Sequence, residues 1–304
     1  MEQLTGNIIA MFAIVVLSYL TKRWRLMPHH TNAVLSSLLY NVTAPCLIFI
    51  SLVSSSGTSL LKEGLIVIGV ALGYLTIACL VALWFLRKVP SSDTTAGVVA
   101  FTSIFSNTGF MGIPLVYLLF GASGVAIGAL YDQAHNLFMF TLGTIMLGQK
   151  EGGFLITAAR RLKEPPVIAL GAGLLILVTG IKIPAPILEP VKMIGETTSA
   201  LAMFAIGQFI DLNCFRDTAR LKKLPVVAAL RLVLIPLIVL GLTSLLPFPP
   251  LVRGVLGIMV AAPSAVMSAV LAKQYEQDYE FAVMAVVGTT AVSIISLPLV
   301  MGLL

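Results

Sequence analysis

Charge is what this chain has least of. Lysine, arginine, aspartate and glutamate make up 11% of its 304 residues, against 58% hydrophobic residues, and the mean hydropathy is strongly positive. A soluble protein of this length could not hide so much apolar surface in one core, which excludes a separate soluble domain. Cysteine is nearly as scarce. Cys46 and Cys79 lie in apolar stretches and Cys214 near a helix end, an arrangement that fits neither a disulfide framework nor a metal-ligand spacing. All three read as packing residues. No Gly-rich loop ending in Lys-Ser/Thr occurs, so the chain offers no nucleotide cradle and any work it does draws on an ion gradient or a membrane potential. The net charge of +6 is no nucleic-acid signal, because the basic residues sit in short loops between apolar runs.

Those runs are the positive content of the sequence. Residues 31–61, 64–86 and 281–304 carry almost no charge and each exceeds the roughly 20 residues that cross a bilayer. The first apolar segment lacks a basic leader and a small-residue cleavage site, so it reads as a retained helix. The pattern predicts an all-α polytopic membrane protein with ten spans at 4–21, 31–54, 64–86, 94–119, 123–148, 165–181, 187–210, 224–246, 252–273 and 280–303. Loops after odd-numbered spans hold Lys22, Arg23, Arg25, Arg87, Lys88, Lys150, Arg160, Arg161, Lys163, Arg216, Arg220, Lys222, Lys223 and Lys273. The other side holds Lys62, Lys182, Lys192 and Arg253. Positive loops stay inside, so both termini are expected outside the cytoplasm of an inner membrane.

The connector 149–164 sets Arg160, Arg161 and Lys163 beside Phe154, Leu155, Ile156 and Leu162, a composition suited to a short interfacial helix. It also divides the chain into two five-helix units, 1–148 and 165–304. Five spans on either side of a cytoplasmic connector enter the membrane in opposite senses, which is an inverted-topology repeat. At an offset of 156 residues, Met111 falls over Met267 and Gly112 over Ser268, while 43–49 resembles 198–204.

Between Thr94 and Tyr131 the chain has no charge at all, yet its middle reads Ser-Asn-Thr-Gly-Phe-Met-Gly-Ile-Pro-Leu from Ser106 to Leu115. Irregular backbone in hydrocarbon persists only where protein or a cavity meets its polar groups. A helix broken by Asn107, Gly109, Gly112 and Pro114 in span 4, matched by Pro263 in span 9, therefore points to a binding site. Freed amides suit an anion and freed carbonyls a cation, and Thr108, Ser264 and Ser268 add neutral hydrogen bonds. The plainer reading is a pair of packing kinks.

Span 5 carries Asp132, His135 and Asn136 on one helical face. An ionised aspartate there costs about 2.5 to 3.5 kcal/mol, so it reads as a proton or cation coupling site or as a structural hydrogen bond. Glu196 and Arg231 raise the same question, and Arg231 is expected to snorkel toward the interface. Asp211 and Asn213 read as helix-end residues.

Asn107 to Leu115, Ala202 to Gly207, and Pro263 followed by Ala272-Lys273-Gln274-Tyr275 together resemble the auxin efflux carrier family, which joins plant auxin carriers to bacterial organic-acid permeases. The resemblance runs in order along nearly the whole chain. It implies a ten-helix inverted repeat akin to bile-acid symporters and sodium/proton antiporters, with spans 4 and 9 crossing at their breaks and a transport part moving like an elevator against a scaffold. It also implies that Asn107, Thr108, Gly109, Pro114, Pro263 and Ser264 form the anion site, to which the breaks themselves add Gly112 and Ser268 as candidates, with Pro45, Met203 and Gly207 in support. The plant members carry Pro-Gln-Gly where this chain has Pro263-Ser264-Ala265, so the second break contributes different side chains here.

The expected activity is secondary transport of a small organic anion, a mono- or dicarboxylate, by a homodimer embedded in lipid. No catalysis, metal, cofactor or nucleic-acid partner is expected beyond a transported proton or sodium ion. The alternatives are a sodium-coupled symporter, a membrane sensor for the same anion, and an intramembrane hydrolase built on Tyr131-Asp132. The last lacks a second aspartate facing Asp132.

Overall fold

The computed structural model describes residues 2–28, 30–54, 59–88, 93–148, 159–160 and 162–302. Among them the regular structure is entirely helical, with no strand beyond one bridged residue pair. The helices are α1 (Glu2–Arg23), α2 (Thr31–Val53), α3 (Ser59–Leu86), α4 (Thr94–Ile104), α5 (Thr108–Met146), α6 (Pro165–Thr179), α7 (Ala185–Glu196), α8 (Thr198–Phe209), α9 (Thr218–Ser244), α10 (Pro250–Ala261), α11 (Met267–Gln274) and α12 (Tyr279–Gly302). Thr31–Val53, Leu60–Leu86, Thr108–Met146, Thr218–Ser244 and Tyr279–Gly302 are long and apolar enough to cross a membrane. Leu65, Ile77, Leu242, Ile295 and Leu299 stand exposed on them, as do Leu175 and Val178 on the shorter α6, as a lipid-facing surface requires. Most of the connector, residues 149–158 and 161, falls outside the described residues, and with it the expected interfacial helix.

Proline explains most of the local irregularity. Turns of π-helix occupy 39–43, 108–112, 139–143 and 230–234, and all but 139–143 end two residues before a proline: Pro45, Pro114 and Pro236. A proline has no amide and its ring crowds the carbonyl four residues back, so the widened turn moves that carbonyl aside. Helix starts follow the same chemistry. Asp93 caps α4 by accepting from the amides of Thr95 and Ala96 at 3.0 and 3.1 Å, and Pro165 and Pro166 open α6 where no amide is missed.

Helix α5 folds back on itself. Gly121 sits at φ 60°, ψ −154°, a left-handed backbone that glycine adopts without a Cβ penalty, at the expected boundary between the fourth and fifth spans. The Thr108 hydroxyl consequently reaches Asp132, 24 residues on, at 2.5 Å; a straight helix would hold them about 36 Å apart.

Two groups of helices emerge from the packing. In one, α2 packs on α6 and α7, and α1 on α8. Gly207 permits the second contact, because a Cβ there would run into the Val15 carbonyl and the Ser18 side chain. In the space it leaves, Gln208 Nε2 donates to the Ser18 carbonyl and hydroxyl at 2.8 and 2.9 Å. In the other group α3, α4, α5 and α9 to α12 pack among themselves.

An ion network ties the ends of this second group. Asp278 accepts from the Thr95 hydroxyl at 2.7 Å, the Arg220 Nε at 3.0 Å and the Phe281 amide at 3.0 Å. Arg220 also pairs with Asp217 and Glu280. Burial pushes the Asp278 carboxyl up, but these three donors outweigh it and hold it below the usual carboxylate range. A depressed carboxylate stabilises the fold above its unfolded value near pH 4, and that contribution is lost as pH falls through the folded value. Asp278→Asn should therefore lower the thermal midpoint at pH 7 and flatten its decline below about pH 4; an unchanged acid limb would show that the network is dispensable.

Candidate functional site

The two breaks meet and hydrogen-bond to each other. The Asn107 amide donates to the Pro263 carbonyl at 2.7 Å and the Ala265 amide to the Phe105 carbonyl at 2.9 Å, an antiparallel bridge centred on Ser106 and Ser264. Each interrupted helix thus satisfies in the other the groups its own break frees. The bridge sets a register that sequence letters did not. It pairs Ser106 with Ser264, whereas the 156-residue offset laid Ser106 over Ala262, two positions away.

Beside the bridge lies a narrow cavity with about 70 Å³ open to water-sized molecules. One wall is built from the breaks and the second arm of α5: Ser106, Asn107, Thr108, Gly109, Asp132 and Asn136, with Ala265 and Met267 from the other break. The opposite wall comes from α2, α6 and α8, through Leu39, Tyr40, Ala44, Ile48, Pro166, Thr198 and Ala202. The cavity therefore occupies the seam between the two helix groups. Its polar groups stand mainly on the crossing side.

Two residues of these walls each hold a buried hydrogen-bonding group that has no partner among the described residues. Asn107 is 3% exposed and its Nδ2 is unpaired; Thr198 is 1% exposed and its Oγ1 is unpaired. Leaving such a donor dry and unmatched costs about 1–3 kcal/mol, so each fits a ligand better than an empty core. The Gly109 and Phe110 amides open the first turn after the break, and no acceptor among the described residues takes them. They bring the positive end of a helix to the same cavity.

Asp132 lies midway along its arm, is 5% exposed, and accepts from Asn136 Nδ2 at 2.9 Å and Gln133 Nε2 at 3.1 Å in addition to Thr108. His135 turns away from the cavity. Its Nε2 accepts the Ser106 amide at 3.1 Å, which leaves the ring's proton on Nδ1, and Tyr131 stacks on the ring. It supports the break instead of lining it.

The other expected site residues, all buried but the half-buried Pro45, do not reach the cavity. The Ser264 hydroxyl donates to the Thr102 carbonyl at 2.8 Å and the Ser268 hydroxyl to Ala265 at 2.6 Å, so both are occupied within the backbone. Gly112 and Pro114 lie under the break, with Gly112 against Met259, and Pro263 contributes its carbonyl to the bridge. Pro45 follows the widened turn of α2, while Met203 and Gly207 pack α8.

Arg231 corrects an expectation. It does not snorkel: it is fully buried, with Nη1 donating to the Ile104 carbonyl at 2.5 Å and Nη2 to the Val260 carbonyl. Thr198 went unnoticed in the sequence, where nothing separates it from the threonines around it.

Crossed broken helices inside an apolar bundle, with unmet donors at the break, define a membrane transporter. Comparison with known proteins gives the family. The profile described as "Membrane transport protein" matches residues 4–301, and the chain belongs to this family, that of the auxin efflux carriers its motifs resemble. An "Uncharacterized transporter" of Methanothermobacter thermautotrophicus is 27% identical over 97% of this chain and 96% of its own. A "Putative malonate transporter" of Rhizobium meliloti is 24% identical over 97% of this chain and 93% of its own. An "Uncharacterized transporter" of Methanocaldococcus jannaschii is 22% identical over 96% of each. The family and these relatives are named as transporters, not enzymes.

Proposed function

We propose that this chain carries a small carboxylate across the membrane by alternating access, binding it in the cavity beside the crossed breaks. The observation that carries this reading is that Asn107 and Thr198, on opposite walls of one cavity, each hold a buried, unpartnered group, Nδ2 and Oγ1. With the amides of Gly109 and Phe110 they offer an anion several donors and the positive end of a helix. A dicarboxylate such as malonate is the first substrate to try, since one relative is named for it.

The two walls suggest how the ligand moves. Most of the polar contacts belong to the group holding both breaks, whereas α2, α6 and α8 present a mainly apolar face. A load held by one group and sliding along the other is an elevator. The symmetric bridge at Ser106 and Ser264 favours ten spans in two inverted repeats, 1–148 and 165–304 around the connector 149–164, with both termini outside the cytoplasm of the inner membrane. A homodimer, with α1, α2 and α6 to α8 as the stationary part, completes the reading.

Asp132 supplies the coupling. A carboxylate beside an anion site repels its ligand unless it is protonated, so proton and substrate should travel together. Wild-type binding should weaken as pH rises, while Asp132→Asn should bind independently of pH and fail to accumulate substrate against a gradient. Uptake of a carboxylate panel into proteoliposomes, with imposed proton or sodium gradients, tests both statements. Failure of every carboxylate to enter, or an unaltered pH profile in Asp132→Asn, would remove the corresponding claim.

A further inference from the structure

Arg231 is among the largest fully buried side chains in the protein, and no carboxylate pairs with it among the described residues. Its partners are instead backbone carbonyls: Ile104, the last residue of α4, and Val260, next to last in α10. These are the ends of the two half-helices that run into the crossing. A helix C-terminus carries the equivalent of about half a negative charge, so two converging ends present about one, and a single guanidinium matches it. A third carbonyl exposed by the breaks, that of Thr102, is already taken by the Ser264 hydroxyl.

Converging C-terminal carbonyls at a pair of broken helices are where carriers of this general design seat a coupling cation. Here the seat is filled from within. The widened turn at 230–234 places the arginine head between the two ends, and its planar fork lets one side chain serve both carbonyls. We infer that Arg231 is a tethered cation occupying this carbonyl seat, so that the crossing needs no sodium and the seat does no coupling. This inference deepens the transporter reading by assigning coupling away from the crossing carbonyls, but it stands on the carbonyl geometry and does not depend on which anion is carried.

The test is thermal unfolding of the purified full chain, which requires no substrate and so fails or succeeds separately from the anion site. Wild-type protein should unfold at the same temperature in sodium chloride and in choline chloride of equal ionic strength. Arg231→Ala should unfold about 5 °C or more lower, because two buried carbonyls lose their donors, and millimolar guanidinium should restore part of that loss where choline does not. Arg231→Lys, which keeps the charge and loses the fork, should fall between. Arg231→Met, similar in bulk and neutral, should be no better than the alanine variant. A methionine variant as stable as wild type, or a saturable sodium-dependent rise in the wild type, overturns the inference. Should the alanine variant fail to fold, the lysine and methionine variants decide: lysine folded above methionine supports the tethered charge, and the two alike, folded or unfolded, overturns it.

Discussion

Asn107→Asp should abolish carboxylate binding, and Asn107→Ala should weaken it about ten- to a hundredfold. The alanine figure follows from one hydrogen bond to a charged group, about 1.5–3 kcal/mol. The aspartate goes further because it replaces a donor with an anion that repels the carboxylate it should hold. Stability should move the other way for alanine. The Asn107 Nδ2 group is buried without a partner in the free protein, so truncation removes an unmet donor and should leave the ligand-free thermal midpoint unchanged or slightly higher. Affinity lost with stability kept is the signature of a group held ready for a ligand. Calorimetry with the transported acid, beside thermal unfolding without it, separates this from a structural amide, whose loss would lower both.

Gly207→Val should destabilise the protein more than any substitution in the cavity. The obstacle is backbone, the Val15 carbonyl, which cannot rotate away as a side chain end can. Helix α1 must shift, and with it go the buried bonds of Gln208 to Ser18 and the more open ones of Gln208 to Thr21 and of Lys22 to the carbonyls of Gln208 and Ile210 at 2.8 Å. Overpacking costs about 1–3 kcal/mol and each unmet buried partner adds comparably, which together lower the midpoint by about 10 °C. Gly207→Ala should show the same defect in smaller measure. A valine variant that unfolds with the wild type would mean that α1 and α8 are not held in close contact.

What could be read from the sequence was what composition and backbone chemistry dictate. Apolar runs marked the long helices, Gly121 fell at the expected boundary of two spans, and Asn107 with Pro263 marked two interruptions that the fold brings into contact. These signals are legible because proline and glycine change the backbone wherever they occur. Side-chain destinations are another matter. Ser264 and Ser268 looked like ligand groups, yet each spends its hydroxyl on a nearby carbonyl, and only the bridge geometry shows which carbonyls are in reach. Thr198 looked ordinary and turns out to hold an unmatched hydroxyl on the cavity wall. Arg231 looked like an interfacial residue because an isolated helix gives it nowhere else to go. The alternative, two helix ends converging on it, exists only once α4 and α10 have crossed. The register of the crossing was likewise beyond the letters, since sparse identities in apolar sequence fit several offsets and the backbone hydrogen bonds choose one.

The claim that the crossing holds the substrate can be tested at Ala265, which lines the cavity and whose main chain forms part of the bridge. The measurement is alkylation of Ala265→Cys, in a background with Cys46, Cys79 and Cys214 replaced by serine or alanine, by a small thiol reagent in proteoliposomes. The transported carboxylate should slow the labelling in proportion to its occupancy, and labelled protein should no longer take it up. Labelling at the same rate with saturating substrate, with uptake intact afterwards, would place the substrate somewhere else.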